Sequence, residues 1–193
     1  MTRLKFSGAY VGLIVRGKTN ETHEPGIMAQ HADCILSNGS CVGFFGEGRS
    51  GSSGSSASSG VNMKGSVYDM DKLAQNRPYY TDGALAKGYG VVSGVLAIHV
   101  GEVAAKLFDA AWAATAVDPP VFWLAGANCS TRAAGVFKSA GILVGGIPGL
   151  DTPNNLFKQL ATIYSAKSWS YYGYVGFEKT NSGHEVTIEN VSV

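Results

Sequence analysis

The sequence predicts an α+β protein, and three observations lead to this class. Strand-like segments and an Asn38-Gly39 hairpin signal precede a segment rich in Gly and Ser, helical spacing follows it, and the tail from Ile163 to Val193 is aromatic and β-branched. The 193 residues are near the length of one domain, and a hydrophobic content of 45% is enough to bury a core. We therefore expect a single domain, 1–193, in which an antiparallel sheet packs against helices.

The N-terminal part of the chain is predicted to be antiparallel β-structure. The apolar stretch from Ser7 to Val15 indicates one strand, and His31 to Leu36 indicates another. Between that strand and the apolar run Cys41 to Phe45 stands Asn38-Gly39, a strong signal for a two-residue hairpin turn. In the C-terminal tail, Asn181-Ser182-Gly183 is predicted as the turn between two further strands.

The segment from Gly51 to Gly60 contains six serines, three glycines and one alanine. Such a composition has no side chains to pack and a large ordering cost, so it predicts a flexible loop. A loop within one domain is favoured over a boundary between two. The expected divisions are strands in 1–47, the loop in 48–60, a helical insert in 61–118, and a second helix with C-terminal strands in 119–193.

Two amphipathic helices are predicted after the loop. The first carries an apolar stripe opposite a charged stripe and is ended by Asp118-Pro119-Pro120. Its apolar stripe is Leu96, Val100, Val103, Leu107 and Ala111, and its charged stripe is His99, Glu102, Lys106 and Asp109. The second helix is predicted from Cys129 to about Ala140 and is stopped by Gly141. Its buried side is expected to hold Ala133, Val136, Phe137 and Ala140.

Charge and motif content argue against several functions. The formal net charge of +1 disfavours nucleic-acid binding. The chain has no run of eighteen uncharged apolar residues and no secretory signal pattern, so we expect no integral membrane segment and synthesis in the cytoplasm without a signal peptide. No spacing of Cys and His residues is typical of zinc, and no glycine-rich segment has the context of a phosphate-binding loop. We expect no metal and no cofactor.

One cysteine stands in a position that favours reactivity. The three cysteines, Cys34, Cys41 and Cys129, are an odd number, so at least one thiol is free or pairs between molecules. Cys129 follows Asn128 and opens the second predicted helix, where the positive end of the helix dipole favours a thiolate and lowers the thiol pKa. A buried structural thiol is the alternative interpretation.

One of the four histidines is placed to act as a base. His99 lies on the charged stripe, His23 stands in a polar loop, and His184 begins the last strand. His31 begins a strand whose alternate residues must enter the core, and such a position holds an imidazole rigidly enough for it to accept a proton from a nucleophile.

The segments around Cys129 and His31 share patterns with one family. Segment 128–142, NCSTRAAGVFKSAGI, resembles without a gap the nucleophile helix of the NlpC-type papain-like cell-wall peptidases, D-C-S-G-x-V-x-Y-V-F-x-x-A-G-I. Segment 31–39, HADCILSNG, resembles the base strand of that family, H-V-G-I-Y-L-G-N-G. The histidine precedes the cysteine here, an order that resembles the circularly permuted branch of the fold. The resemblance implies a sheet or half-barrel packed on the nucleophile helix.

The resemblance also implies roles for individual residues. Cys129 would be the nucleophile that forms a thioester acyl-enzyme, and His31 the base that accepts its proton and later protonates the leaving group. The backbone N–H of Cys129 would stabilise the oxyanion. The flanking residues Asn128 and Ser130 are expected to contact the substrate. The third, polar residue of the family falls on Gly43, which has no side chain.

Two carboxylates are therefore candidates for orienting His31. Pairing across a two-residue turn puts Gly46 opposite His31 and Glu47 beside it, so Glu47 is the first candidate. Asp33, two residues from His31 on the same face of the strand, is the second. Either could equally be a solvated carboxylate.

The implied activity is that of a cysteine hydrolase that cleaves an amide bond in the peptide part of peptidoglycan. Without a signal peptide, such an enzyme would be an antibacterial effector exported by a dedicated machine, such as type VI secretion, into a target cell or its periplasm. Its partners would be that secretion machinery and a cognate immunity protein. The first alternative is a permuted papain-like acyltransferase, lipase or deamidase acting on a lipid or host protein. The second is an inactive binding module, for which Gly43 is the argument.

Overall fold

Eight antiparallel strands form one sheet, in the order β1-β8-β7-β6-β2-β3-β4-β5. The computed structural model describes residues 1–26, 30–47, 63–123, 128–145 and 152–191. The strands are β1 (Thr2–Lys5), β2 (Tyr10–Arg16), β3 (His31–Ile35), β4 (Cys41–Glu47), β5 (Lys64–Tyr68), β6 (Ser93–His99), β7 (Ser168–Thr180) and β8 (Gly183–Asn190). The helices are α1 (Met70–Asn76), α2 (Gly83–Gly88), α3 (Glu102–Val117), α4 (Cys129–Ser139) and α5 (Pro153–Ile163). The predicted α+β class is confirmed.

The sheet separates two hydrophobic cores, since side chains alternate between its two faces along each strand. On one face, Leu13 belongs to a core that the sheet shares with three helices. The helices contribute Trp112 of α3, Phe137 of α4 and Leu156 of α5 to it. On the other face, Ile14 belongs to a second core that includes Leu73 of α1. The central strands are therefore apolar on both sides, and a charged side chain there needs a partner.

The helix that begins at Cys129 is confirmed in its extent and its buried side. Helix α4 ends at Ser139, and Gly141 follows with a φ of +69°, the left-handed conformation that commonly closes a helix. The four residues predicted to face the core are all buried: Ala133, Val136, Phe137 and Ala140. Helix α4 packs against β3 and β4, and the contact of Cys129 with Ala32 places its N-terminus near the start of β3.

Segment 61–118, predicted as a helical insert, is only partly helical. Its described residues include β5 at the edge of the sheet and β6 between β2 and β7. Leu96 and His99 belong to β6, whereas the prediction placed both on a helix. Gly101, with a φ of +84°, separates the strand from α3, so the apolar residues on its two sides do not share one helical face. The Gly/Ser segment 48–60, predicted as a flexible loop, lies outside the described residues.

The buried face of α3 also differs from the prediction. Val103 is 75% exposed and Leu107 is 50% exposed, although both were expected to face the core. Ala105, Phe108 and Trp112 are buried instead. The two aromatic side chains bury more apolar area than the aliphatic ones, so they set the rotation of the helix on the sheet. The predicted end of the helix is confirmed, since α3 stops at Val117.

The hairpin between β3 and β4 has a longer turn than predicted. The N–H of Leu36 donates to the carbonyl of Ser40, and the N–H of Gly39 donates to the carbonyl of Leu36. The turn therefore has three residues, 37–39, and Gly39 takes a φ of +83°. Asp33 consequently pairs with Gly43, one residue away from the predicted register, and the expectation that Gly46 lies opposite His31 is wrong. The predicted turn between β7 and β8 is confirmed at Asn181 and Ser182, whereas Gly183, predicted as its third residue, begins β8 and pairs with Thr180.

A buried lysine fixes the segment that follows β2. Lys18 is fully buried, and its ammonium donates to the carbonyls of Glu21 and His23 and to Oδ1 of Asn154 on α5. Its Nζ also lies 5.3 Å from the ring centre of Phe157. These contacts join the loop before β3 to the helical layer.

Within the described residues, no helix has both the length and the apolar character needed to cross a membrane.

Candidate active site

The Cys129 thiol lies between a helix N-terminus and the first residues of β3. Cys129 is the first residue of α4 and is 8% exposed. Its Sγ accepts a hydrogen bond of 3.5 Å from the backbone N–H of Ala32. Both this N–H group and the positive end of the helix dipole favour a thiolate over a thiol.

Asn128 and Ser130 form the cap of this helix. The Asn128 side chain accepts from the N–H groups of Ser130 and Thr131, and the Thr131 hydroxyl accepts from the N–H of Asn128. The Ser130 hydroxyl donates to the same Asn128 oxygen, and Ser130 is 1% exposed. The substrate contact expected for the two residues stays a prediction. Among the described residues, no backbone carbonyl accepts from the N–H of Cys129, which is in the first turn of the helix.

His31 is held by one carboxylate and two aromatic rings. Its Nε2 lies 2.8 Å from Oδ1 of Asp33. The imidazole stacks on Phe45 with a centroid distance of 4.3 Å and on Tyr80 with one of 5.8 Å. With Nε2 engaged by Asp33, Nδ1 is the ring nitrogen left to exchange a proton with Cys129. The ring therefore has a defined position and a defined division of roles between its nitrogens.

Asp33, the second candidate, is the carboxylate that contacts His31. It is fully buried, and its Oδ2 accepts a hydrogen bond of 2.8 Å from Nε of Arg16. Glu47, the first candidate, ends β4 opposite Lys64, and among the described residues it makes no hydrogen bond to His31. The difference follows from the three-residue turn, which shifts the register of β4 by one residue.

Gly43 provides the space that the Asp33 carboxylate occupies. A Cβ built on residue 43 would overlap Oδ1 of Asp33 and would lie 2.8 Å from the ring of Phe45. The resemblance placed a polar third residue at position 43. Here the carboxylate comes from the neighbouring strand, and the glycine leaves room for it.

Arg16 completes the buried charge network, and the sequence analysis did not identify it. Its side chain is 3% exposed, and beyond Asp33 it donates to the carbonyl of Tyr80 at 3.1 Å and lies 4.3 Å from the centre of that ring. Arg16 pairs with His31 across the β2–β3 ladder, and His31 lies two residues before Asp33 along β3. A charged residue that ends an apolar strand is the signal that could have found it.

The network sets the protonation states of Cys129 and His31. Burial opposes the charged form of His31, but the charges of Asp33 and Cys129 and the hydrogen bonds to them outweigh it and raise the His31 pKa to about 10. Burial likewise opposes the Cys129 thiolate, but the His31 charge, its hydrogen bond and the Ala32 N–H lower the Cys129 pKa. Burial also opposes the charged form of Asp33, but the charges of His31 and Arg16 and their hydrogen bonds lower the Asp33 pKa. Both shifts favour a thiolate–imidazolium pair over a neutral thiol and imidazole at Cys129 and His31.

A cleft of about 220 Å³ opens beside His31. Four aromatic side chains line it, namely Phe44, Phe45, Tyr80 and Phe122. Met63 and Arg77 also line it, and Met63 pairs with Phe122 through an isolated antiparallel β-bridge. The cleft is smaller than most small-molecule sites, and it combines aromatic rings with the polar side chains of His31 and Arg77.

The remaining cysteines and histidines do not contact Cys129 or His31 in any hydrogen bond of the described residues, although the Cys41 sulfur accepts from Arg16 at 3.8 Å. Burial raises the pKa of the Cys34 thiol well above its usual value and also raises that of Cys41. His99 lies against Tyr10 with a centroid distance of 4.9 Å, which corrects its expected place on a charged helix face. His184 contacts the Ser40 hydroxyl.

No group of three or more His, Cys, Asp or Glu side chains positioned for a metal ion occurs in the part of the chain that the structure describes.

Comparison of the chain with models of known families, with curated proteins and with solved structures gave no match. The assignment of a function therefore depends on the geometry of these residues.

Proposed function

We propose that this protein is a cysteine hydrolase that cleaves amide bonds, with a permuted papain-like arrangement of its site. Cys129 is the nucleophile, His31 is the general base and acid, and Asp33 orients His31. The observation that carries the proposal is geometric: the Asp33 carboxylate contacts the His31 ring, and the Cys129 sulfur at the start of α4 accepts from the N–H of Ala32, the residue next to His31. A nucleophile, a base and an orienting group in this order are the elements of covalent acyl transfer.

The contacts support a two-step mechanism. The Cys129 thiolate attacks the carbonyl carbon, a C–S bond forms, and the Cys129 N–H donates to the oxyanion. His31 then donates its proton to the amide nitrogen, and the C–N bond breaks to leave a thioester. In the second step His31 takes a proton from water, the resulting hydroxide attacks the thioester, and the C–S bond breaks to release the acid. Asp33 holds the ring in position throughout.

The substrate class follows from the family resemblance and is part of the proposal. The peptide part of peptidoglycan is the first candidate, with the chain acting as an antibacterial effector that is exported from its producer and neutralised there by an immunity protein. The aromatic cleft beside His31 favours a second candidate, acyl transfer or hydrolysis on a lipid or a host protein. The argument for an inactive binding module was the missing side chain at position 43. The space at Gly43 holds the Asp33 carboxylate, which weakens that argument.

The test combines a thiol reagent with a substrate assay. At pH 6, Cys129 should react with iodoacetamide at least about tenfold faster than a free cysteine, because the pairing with His31 keeps it ionised. Cys129→Ala should abolish both labelling and hydrolysis, whereas Cys34→Ala is the matched control and should retain both. Labelling no faster than that of a free thiol would overturn the proposal. Release of muropeptides from purified peptidoglycan supports the first substrate class, and turnover of a lipid or glutamine substrate alone supports the second.

A further inference from the structure

The cleft beside His31 contains a cation that is positioned by aromatic rings. The guanidinium carbon of Arg77 lies 5.1 Å from the ring centre of Phe45 and 5.9 Å from that of Tyr80. These are the same two rings on which His31 stacks. Arg77 also donates to the Tyr79 hydroxyl at 3.1 Å. The side chain is therefore held near His31, against the two rings that also position the imidazole.

No acidic side chain neutralises this cation within the described part of the chain. Arg77 forms no ion pair there, and the described residues that line the cleft include no Asp or Glu. Asp33, the acid closest to His31, is fully buried and engaged by His31 and Arg16. The usual reason for a surface arginine beside a cleft, pairing with a neighbouring carboxylate, is therefore missing.

A second cation, on the helix that carries Cys129, lies against one of the rings of the cleft wall. The guanidinium carbon of Arg132 lies 5.6 Å from the ring centre of Phe44, which lines the cleft. Its Nε is buried and has no hydrogen-bond partner among the described residues. The cleft thus combines aromatic rings with one lining cation, Arg77, which is complementary to an anion with an apolar body.

We propose that this cleft binds the part of the substrate next to the scissile bond, and that this part carries a carboxylate, which Arg77 binds. The proposal rests on the proposed function, because it assigns specificity to the same site. A guanidinium presents two parallel N–H donors to a carboxylate, and the stacking on Phe45 and Tyr80 removes much of the cost of ordering it. Arg77 is thus a specificity-determining residue, which discriminates an acidic substrate from its neutral amide analogue.

The test uses two maleimides that differ only in charge, maleimidopropionate and maleimidopropionamide. In both reactions the Cys129 thiolate adds to the carbon–carbon double bond, and mass spectrometry measures the rate of labelling at Cys129. The acid should label wild-type protein about threefold or more faster than the amide at neutral pH and low salt. Arg77→Gln should lower this rate ratio about threefold, and Arg77→Lys should restore part of it. Lys106→Gln on α3 makes the same charge change at an exposed position and should leave the ratio unchanged.

The rate ratio separates the two proposals. A variant that folds poorly changes both rates, whereas loss of carboxylate binding changes only the ratio. Tyr79→Phe keeps the charge and removes the hydroxyl that Arg77 contacts, so it should give an intermediate ratio. Rapid labelling by both reagents with a ratio that Arg77→Gln does not change would overturn the carboxylate site and leave the hydrolase proposal intact. Slow labelling of Cys129 by both would overturn the hydrolase proposal.

Discussion

Gly43 pairs with Asp33 across the β3–β4 ladder, and the space that a side chain at position 43 would fill holds the Asp33 carboxylate. The carboxylate that contacts His31 is buried between two strands, with Arg16 on its other oxygen. The geometry of the site thus depends on a residue that has no functional group. This relationship also gives the first prediction.

Gly43→Ala should displace the Asp33 carboxylate and turn the His31 ring away from Cys129. We expect turnover to fall about 100-fold, because small displacements of reacting groups have effects of this size. Stability should fall by about 1–3 kcal/mol from overpacking. Gly135→Ala on α4 is the control, since a Cβ there meets nothing within 4 Å and should leave activity unchanged. Equal activity of the two variants would contradict the role of the gap.

Asp33→Asn and Glu47→Gln distinguish the two carboxylates that were candidates for orienting His31. The first substitution removes the charge that raises the His31 pKa, so turnover should fall on the order of a thousandfold and the Cys129 pKa should rise. Glu47→Gln should change neither turnover nor the Cys129 pKa. The pH dependence of iodoacetamide labelling at Cys129 gives the pKa, and denaturant unfolding checks the fold. A larger effect of Glu47→Gln than of Asp33→Asn would contradict the assignment.

The pH profile of turnover should be bell-shaped and broad. Activity should rise with pH as Cys129 loses its proton, at a pH below the usual thiol value of about 8.5. It should fall as pH passes through about 10, where His31 loses the proton that it donates to the leaving group. His31→Gln should remove the alkaline limb along with nearly all turnover, and it should move labelling of Cys129 to higher pH. A wild-type alkaline limb near pH 7 would contradict the raised pKa.

Arg16 should act as a positioning residue through Asp33. Arg16→Gln removes one of the two cations that share the Asp33 charge, so the hold of Asp33 on the His31 proton should tighten and the alkaline limb should move to higher pH. Removing one partner of this buried pair should also lower stability by about 3–5 kcal/mol. Arg16→Lys keeps the charge and should keep the position of the limb. A stability loss in Arg16→Gln with an unmoved limb would indicate a structural role alone.

Lys18→Met should destabilise the protein without changing the chemistry at Cys129. The buried ammonium is shared by two backbone carbonyls and the Asn154 side chain, all of which would lose their donor. We expect the free energy of unfolding to fall by about 2–4 kcal/mol, measured by denaturant titration. Lys106→Met on the exposed side of α3 is the control and should have little effect. A neutral Lys18→Met variant would show that these bonds contribute little.

Local patterns predicted the elements that carry the candidate site. Asn128, Cys129 and the apolar spacing up to Ala140 specify a capped helix, and its extent and buried side are confirmed. These features depend on residues close in the chain, so a single sequence carries them. The same local reasoning failed for α3, because Gly101 and the burial of Phe108 and Trp112 determine where that helix begins and how it faces the sheet.

By itself, the sequence determined the class of the fold, the start of α4 at Cys129, and the choice of His31 among four histidines as the candidate base. Only the tertiary structure decided which carboxylate contacts His31 and that Arg16 contacts that carboxylate. The reason is the register of the sheet, since one additional residue in the turn before Ser40 exchanges the faces of every residue that follows on β4. Contacts between strands distant in the chain then brought Arg16, Asp33 and His31 together, and no local pattern specifies such contacts.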